Sequence, residues 1–144
     1  MNPIIDHIDI TVGDLKEAVR FYDLLMPLLG FDLAKKRETY EADDDYRQIE
    51  YPHGNFIFSI VQAAPGARGQ AVNFEAPGAL HHLAFRAENN EAVDGFYRKL
   101  LGTGASGVVP PAFYKQYAPD YYAVFFCDPF GIRYEVVYYG VWNR

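Results

Sequence analysis

The sequence predicts an α+β fold: two β-α-β-β-β modules whose strands form a cupped, mixed sheet around a central cavity. Three observations predict it. The alternating stretch "HIDITV" is followed by a segment with helical spacing of apolar residues. The same order then returns at an offset of 82 − 7 = 75 residues, where "HLAFRAENNEAVDGFYRKLL" reads against "HIDITVGDLKEAVRFYDLLM" without a gap. Each copy also runs into strand-like segments interrupted by Pro-x-Gly, in "PHGNFIF" and "PFGIRYE". Self-similarity of this kind marks a duplicated structural unit.

The first element is a strand, in which side chains alternate between two faces, so Ile8, Ile10 and Val12 share one face and His7, Asp9 and Thr11 the other. A helix follows over about 14–26. Asp14 is suited to its N-cap with Glu17 three residues on, and Leu15, Ala18, Val19, Tyr22 and Leu25 fall on one side. Pro27 and Gly30 end it. A loop rich in Asp and Arg comes next, then the strand-like "YRQIEYP", a turn at "HGN" and the strand "FIFSIVQ". Module one thus occupies about 4–62, residues 63–78 form a low-complexity linker, and module two spans about 79–140 with its helix near 90–101. "GTGASG", 102–107, follows that helix and lacks a Gly-Lys-Ser/Thr ending, so it is a cap and turn rather than a phosphate loop.

Composition narrows the function. Half of the 144 residues are hydrophobic and 17% aromatic, enough for the core of one domain. A net charge of −6 excludes a nucleic-acid binder, whose affinity comes from clustered Lys and Arg. No segment has the ~20 apolar residues of a membrane span, and no secretory leader is evident. The single cysteine, Cys127, lies in an apolar run, has no intrachain partner and suits a reducing cytoplasm, where we place the protein. His53 belongs to a turn and reads as solvent-exposed.

Chemistry concentrates where the repeat aligns histidines. His7 falls on His82, and a repeated unit packed about a pseudo-twofold axis brings such positions to a shared cavity. In the last strand, parity places Arg133, Glu135 and Val137 on one face. Two imidazoles and a carboxylate, His7, His82 and Glu135, form a divalent-metal ligand set with positions open for substrate. His81 would replace His82 if the strand slipped by one residue. Asp9 and Arg86 share the cavity face by parity, where they orient the ligands, contact the substrate or pair with each other. Tyr114, Lys115, Tyr117 and Tyr122 lie in "AFYKQYAPDYY", a loop-like stretch suited to a pocket lip, and Arg133 suits an anionic substrate group.

With "HIDITVGDLKEAVRFY", "HHLAFRAENNEAVDGFY" and "DPFGIRYEVV" the chain resembles, over nearly its whole length, the vicinal oxygen chelate superfamily: glyoxalase I, extradiol dioxygenases, fosfomycin-resistance and bleomycin-binding proteins. The resemblance implies metal ligands at His7, His82 and Glu135, with a fourth place on Phe58, which cannot ligate and is expected to line the substrate side of the cavity. Glyoxalase I would have a second carboxylate there. Ser59 is assigned the opposite face and is not counted. Extradiol dioxygenases would have a tyrosine where this chain has Phe125. The expectation is therefore an enzyme using one divalent ion (Mn, Fe, Ni, Co or Zn) as Lewis acid on a small substrate with adjacent oxygens, by isomerisation, lyase chemistry or epoxide opening rather than oxygenolysis. The alternative is a metal-free drug- or metabolite-binding protein. A homodimer is expected in either case, and the modules could pair within or between chains.

Overall fold

A computed structural model of the chain describes residues 5–41 and 46–140. The end of the last apolar run, at 141–142, lies outside them. The chain divides into two compact units, Met1–Gln70 and Ala71–Arg144.

In unit one, β1 (His7–Val12) leads into helix α1 (Leu15–Leu28), followed by β2 (Arg37–Glu41), β3 (Tyr46–His53) and β4 (Phe56–Gln62). The sheet order is β1-β4-β3-β2, with β1 parallel to β4 and the other pairs antiparallel. Unit two repeats the pattern: β5 (Leu83–Arg86), α2 (Asn90–Leu100), β6 (Ser106–Phe113), β7 (Tyr122–Cys127) and β8 (Arg133–Tyr138), in the order β5-β8-β7-β6 with β5 parallel to β8. Each unit is the expected β-α-β-β-β module with a mixed four-stranded sheet. Among the described residues, no helix is long and apolar enough to cross a membrane.

Capping and burial fix the helices. Asp14 accepts the amide hydrogen of Glu17 at 3.0 Å and Asn89 that of Ala92 at 2.8 Å, each satisfying a donor at a helix start. Gln62 at the end of β4 clamps the same point: its side-chain oxygen accepts from Leu15 N and its amide donates to the Gly13 carbonyl. Leu15, Ala18, Tyr22, Leu25 and Met26 of α1 are buried, as are Ile10, Val12, Phe58 and Ile60 on the sheet. In α2 the buried stripe is Val93, Phe96 and Leu100, with Phe96 packed 5.7 Å from Phe126. These faces leave the opposite side of each sheet for polar groups.

The structure departs from expectation at four places. One is β6, which begins at Ser106 and so takes in the end of the expected cap and turn at 102–107. The expected loop before "YRQIEYP" contains an edge strand, β2, whose charged "RETYE" lacks a buried face and so any apolar alternation. Pro27 lies in the last turn of α1 instead of ending it. The Pro-x-Gly motifs are not equivalent: Gly54 and Asn55 make a two-residue turn between paired His53 and Phe56, whereas Pro129, Phe130 and Gly131 span Asp128 and Ile132, whose backbones bond at 2.9 Å. Unit two therefore gains one residue there, and the final strands match at 135 − 59 = 76.

Candidate functional site

The site in unit two is built on β8. Glu135 is paired with Ala84 of β5 and Phe125 of β7, and only 2% of it is exposed. Its Oε1 accepts the Tyr121 hydroxyl hydrogen at 2.5 Å, and its Oε2 lies 3.4 Å from Nε2 of His82. Burial pushes the Glu135 carboxyl above its ordinary range, while the Tyr121 hydrogen bond and the neighbouring imidazole pull it down. His82 rather than His81 is the ring that reaches this carboxylate. The two imidazoles meet through their Nδ1 atoms at 2.7 Å, and His81 packs edge-on against Phe74.

This pair fits a metal ion. Two donors bound at roughly 2.0–2.2 Å with a tetrahedral angle stand about 3.4 Å apart, which is the separation of His82 Nε2 and Glu135 Oε2. A buried carboxylate held by a neutral phenol also favours a cation more than a solvated one does. Among the described residues, no three His, Cys, Asp or Glu side chains gather within either unit to hold an ion, so a third protein donor would come from outside the His82–Glu135 pair.

Aromatic rings surround Glu135. Tyr121 stacks on Tyr139 with centroids 5.3 Å apart and meets Tyr117 at 5.2 Å; Tyr117 stacks on Tyr114 at 6.3 Å, and Tyr114 stands edge-on to Phe125 at 5.1 Å. Burial and the nearby Glu135 carboxylate raise the Tyr114 phenol above its usual range. Expected Tyr114 and Tyr117 thus join Tyr121 and Tyr139, which sequence reasoning missed. Tyr139 shares the parity of Glu135, a signal that was available.

Other expected contacts are spent elsewhere. Tyr122 donates its hydroxyl hydrogen to Asp94 on α2 at 2.8 Å, which places it on the helix side of the sheet. Arg86 donates to the carbonyls of Tyr139 and Gly140 at 2.6 and 2.9 Å and lies over the Tyr139 ring, so it braces the chain end of β8. Arg133 lies 4.3 Å over the Phe74 ring. Lys115 is exposed, with no hydrogen bond or ion pair among the described residues.

In unit one, His7 begins β1. Its Nδ1 is 2.8 Å from Asp6 Oδ1, and a carboxylate can only accept, so Nδ1 carries the hydrogen and Nε2 of the neutral ring presents a lone pair. The Asp6 hydrogen bond, then the charge of Asp9, hold the imidazole above its ordinary range. Phe58 is a correction: it is wholly buried, 5.5 Å from the Tyr22 ring of α1, and belongs to the core. Its neighbour Ser59 takes the expected place. Asp9 pairs with Ser59 as Ala84 pairs with Glu135, so Ser59 is the counterpart of Glu135 and lies on the face of His7.

The comparisons agree with this architecture. The family model for the Glyoxalase/Bleomycin resistance protein/Dioxygenase superfamily matches residues 4–136. A candidate glyoxalase from Bacillus halodurans is similar over 94% of this chain and 96% of its own, at 28% identity and a TM-score of 0.73. A glyoxylase/bleomycin resistance protein/dioxygenase domain from Frankia sp. EAN1pec covers 95% of this chain and 98% of its own, at 21% identity and a TM-score of 0.73. A glyoxalase-related enzyme from Fulvimarina pelagi covers 99% and 92%, at 19% identity and 0.65. The last two show the fold alone. No curated protein matches the sequence. The repeated β-α-β-β-β module and the family match over most of its length establish that the chain belongs to the Glyoxalase/Bleomycin resistance protein/Dioxygenase superfamily.

Proposed function

We propose that the protein is a metal-dependent enzyme in which His7, His82 and Glu135 hold one divalent ion (Mn, Fe, Ni, Co or Zn) and a small substrate with adjacent oxygens completes the coordination. The observation that carries this reading is the His82–Glu135 pair: a nearly inaccessible carboxylate with one oxygen fixed by Tyr121 and the other facing an imidazole nitrogen at 3.4 Å. The Asp6–His7 contact supports it, because it selects the tautomer that a ligand needs. When bound, such an ion acts as a Lewis acid, stabilising oxyanion charge that develops on the substrate.

The chain's own residues then do the rest. Tyr121 holds the Glu135 carboxylate in one orientation, and Tyr114, Tyr117 and Tyr139 provide apolar surface with hydroxyl tips for a substrate to lie against. The reaction types we favour are isomerisation, lyase chemistry or epoxide opening; oxygenolysis is disfavoured by Phe125, which stands edge-on to Tyr114 where a hydroxyl would be wanted. A homodimer is part of the same proposal, since edge strands β2 and β6 offer unpaired backbone. The tyrosine cluster favours a second reading, a metal-free binding protein for an aromatic metabolite or drug. Metal analysis of protein purified without chelator separates the two. Close to one equivalent, or its recovery on adding one of these ions, is expected; below about a tenth of an equivalent with no gain on addition selects the binding protein.

A further inference from the structure

One row of side chains crosses unit one on the face of His7: Asp9 on β1, Ser59 on β4 and Glu50 on β3. The corresponding row in unit two is Ala84, Glu135 and Phe125. Unit two sets one carboxylate between apolar neighbours, and unit one sets one hydroxyl between two carboxylates. Ser59 is wholly buried, yet its Oγ has no hydrogen-bond partner among the described residues. Folded proteins pair nearly all such groups, so an orphan of this kind marks a place kept for something else.

Ser59 lines a cavity of 230 Å³ with His7, Asp9, Gln48, Glu50 and Ile57. Gln48 is occupied: its side-chain oxygen accepts the Tyr46 hydroxyl hydrogen, and its amide points at Asp9 from 3.5 Å. Glu50 is held through Oε2 by Nε of Arg37 at 2.9 Å. What remains for a ligand is the Asp9 carboxylate, the other oxygen of Glu50, Nε2 of His7 and the Ser59 hydroxyl, a set dominated by acceptors. Among the described residues, no Lys or Arg lines this cavity. A ligand carboxylate or phosphate there would face two acids.

We propose that this cavity is a subsite for the hydrogen-bond-donating end of the ligand, an amine or a hydroxyl, received by Asp9 and Glu50 with Ser59 between them. It deepens the reading above by naming one end of the small molecule, and it needs no metal. The test uses chelator-treated protein and three probes that share a ring: benzylamine, benzyl alcohol and benzoate. Binding is followed by the backbone amide NMR signals of Gln48, Glu50 and Ser59. Benzylamine, benzyl alcohol or both are expected to shift these signals, with benzoate weaker by roughly tenfold. Preference for the amine identifies a cationic group, and parity a neutral hydroxyl; Glu50→Gln should then weaken the amine more than the alcohol. Ser59→Ala should weaken the better probe about fivefold while melting at or above the wild-type temperature, because it removes an unpaired buried hydroxyl. The proposal is overturned if benzoate binds as well as the others, if no probe moves these signals, or if Ser59→Ala leaves binding unchanged or lowers the melting temperature. Metal content of His82→Ala is read separately, so either reading can fail alone.

Discussion

Tyr121 donates to one oxygen of Glu135 at 2.5 Å while His82 faces the other at 3.4 Å, so a buried carboxylate is fixed on one side and presented on the other. Replacing Tyr121 with Phe removes the donor and keeps the ring. We expect metal affinity to fall by about tenfold, corresponding to roughly 1.4 kcal/mol, in line with a hydrogen bond to a charged acceptor. Competition with a fluorescent chelator measures it, and an unchanged affinity would show that Tyr121 does not orient the carboxylate.

Glu135 also sets a pH dependence. Burial holds its carboxyl above the ordinary value of 4.5, so the folded state takes up the proton more readily than the unfolded chain. That contribution to stability is fully present below about 4.5 and is lost as pH rises through the folded-state pKa. Metal-free wild type should therefore lose stability relative to Glu135→Gln as pH rises from acid toward neutrality. Urea denaturation of both proteins across this range checks the sign; a gap that widens in the opposite direction contradicts it.

Phe58 and His7 should separate packing from chemistry. Phe58→Ala empties a site filled between Tyr22 and the sheet and should cost about 3–5 kcal/mol of unfolding free energy. His7→Ala removes an exposed ring and should leave the denaturant midpoint close to that of wild type while weakening metal binding. Denaturant midpoints and metal titration on both variants test the pair together.

Gly13 is required by space rather than by backbone conformation. A Cβ there would collide with the carbonyl oxygen of Arg68, a backbone atom that cannot move as a flexible side chain can. Gly13→Ala should destabilise by about 1–3 kcal/mol, read as a lower midpoint in urea. A midpoint equal to wild type would mean that the 63–68 segment moves aside without cost.

Much of the fold was legible because duplication and periodicity are properties of the chain itself. The histidine alignment, both helices and the parity of Glu135 followed from counting residues. The register of β4 did not, because Pro-x-Gly occurs in turns of different length; the extra residue at Pro129–Gly131 exchanges Phe58 for Ser59. The charged β2 and the proline-bearing β6 escaped as individual strands, since edge strands need no apolar alternation and tolerate Pro. Loop position and parity point Tyr122 and Arg86 toward a ligand, but hydrogen bonding commits one to Asp94 and the other to two backbone carbonyls. Such commitments depend on residues distant in sequence.

The most direct measurement is metal stoichiometry and affinity in His82→Ala and His81→Ala, compared side by side after reconstitution with the same ion. His82→Ala is expected to lose most affinity, because its Nε2 faces Glu135, while His81→Ala, whose ring packs on Phe74, stays within about threefold of wild type. Loss of binding in His81→Ala with His82→Ala unaffected, or one equivalent retained in both, contradicts the assignment of the metal to His82 and Glu135.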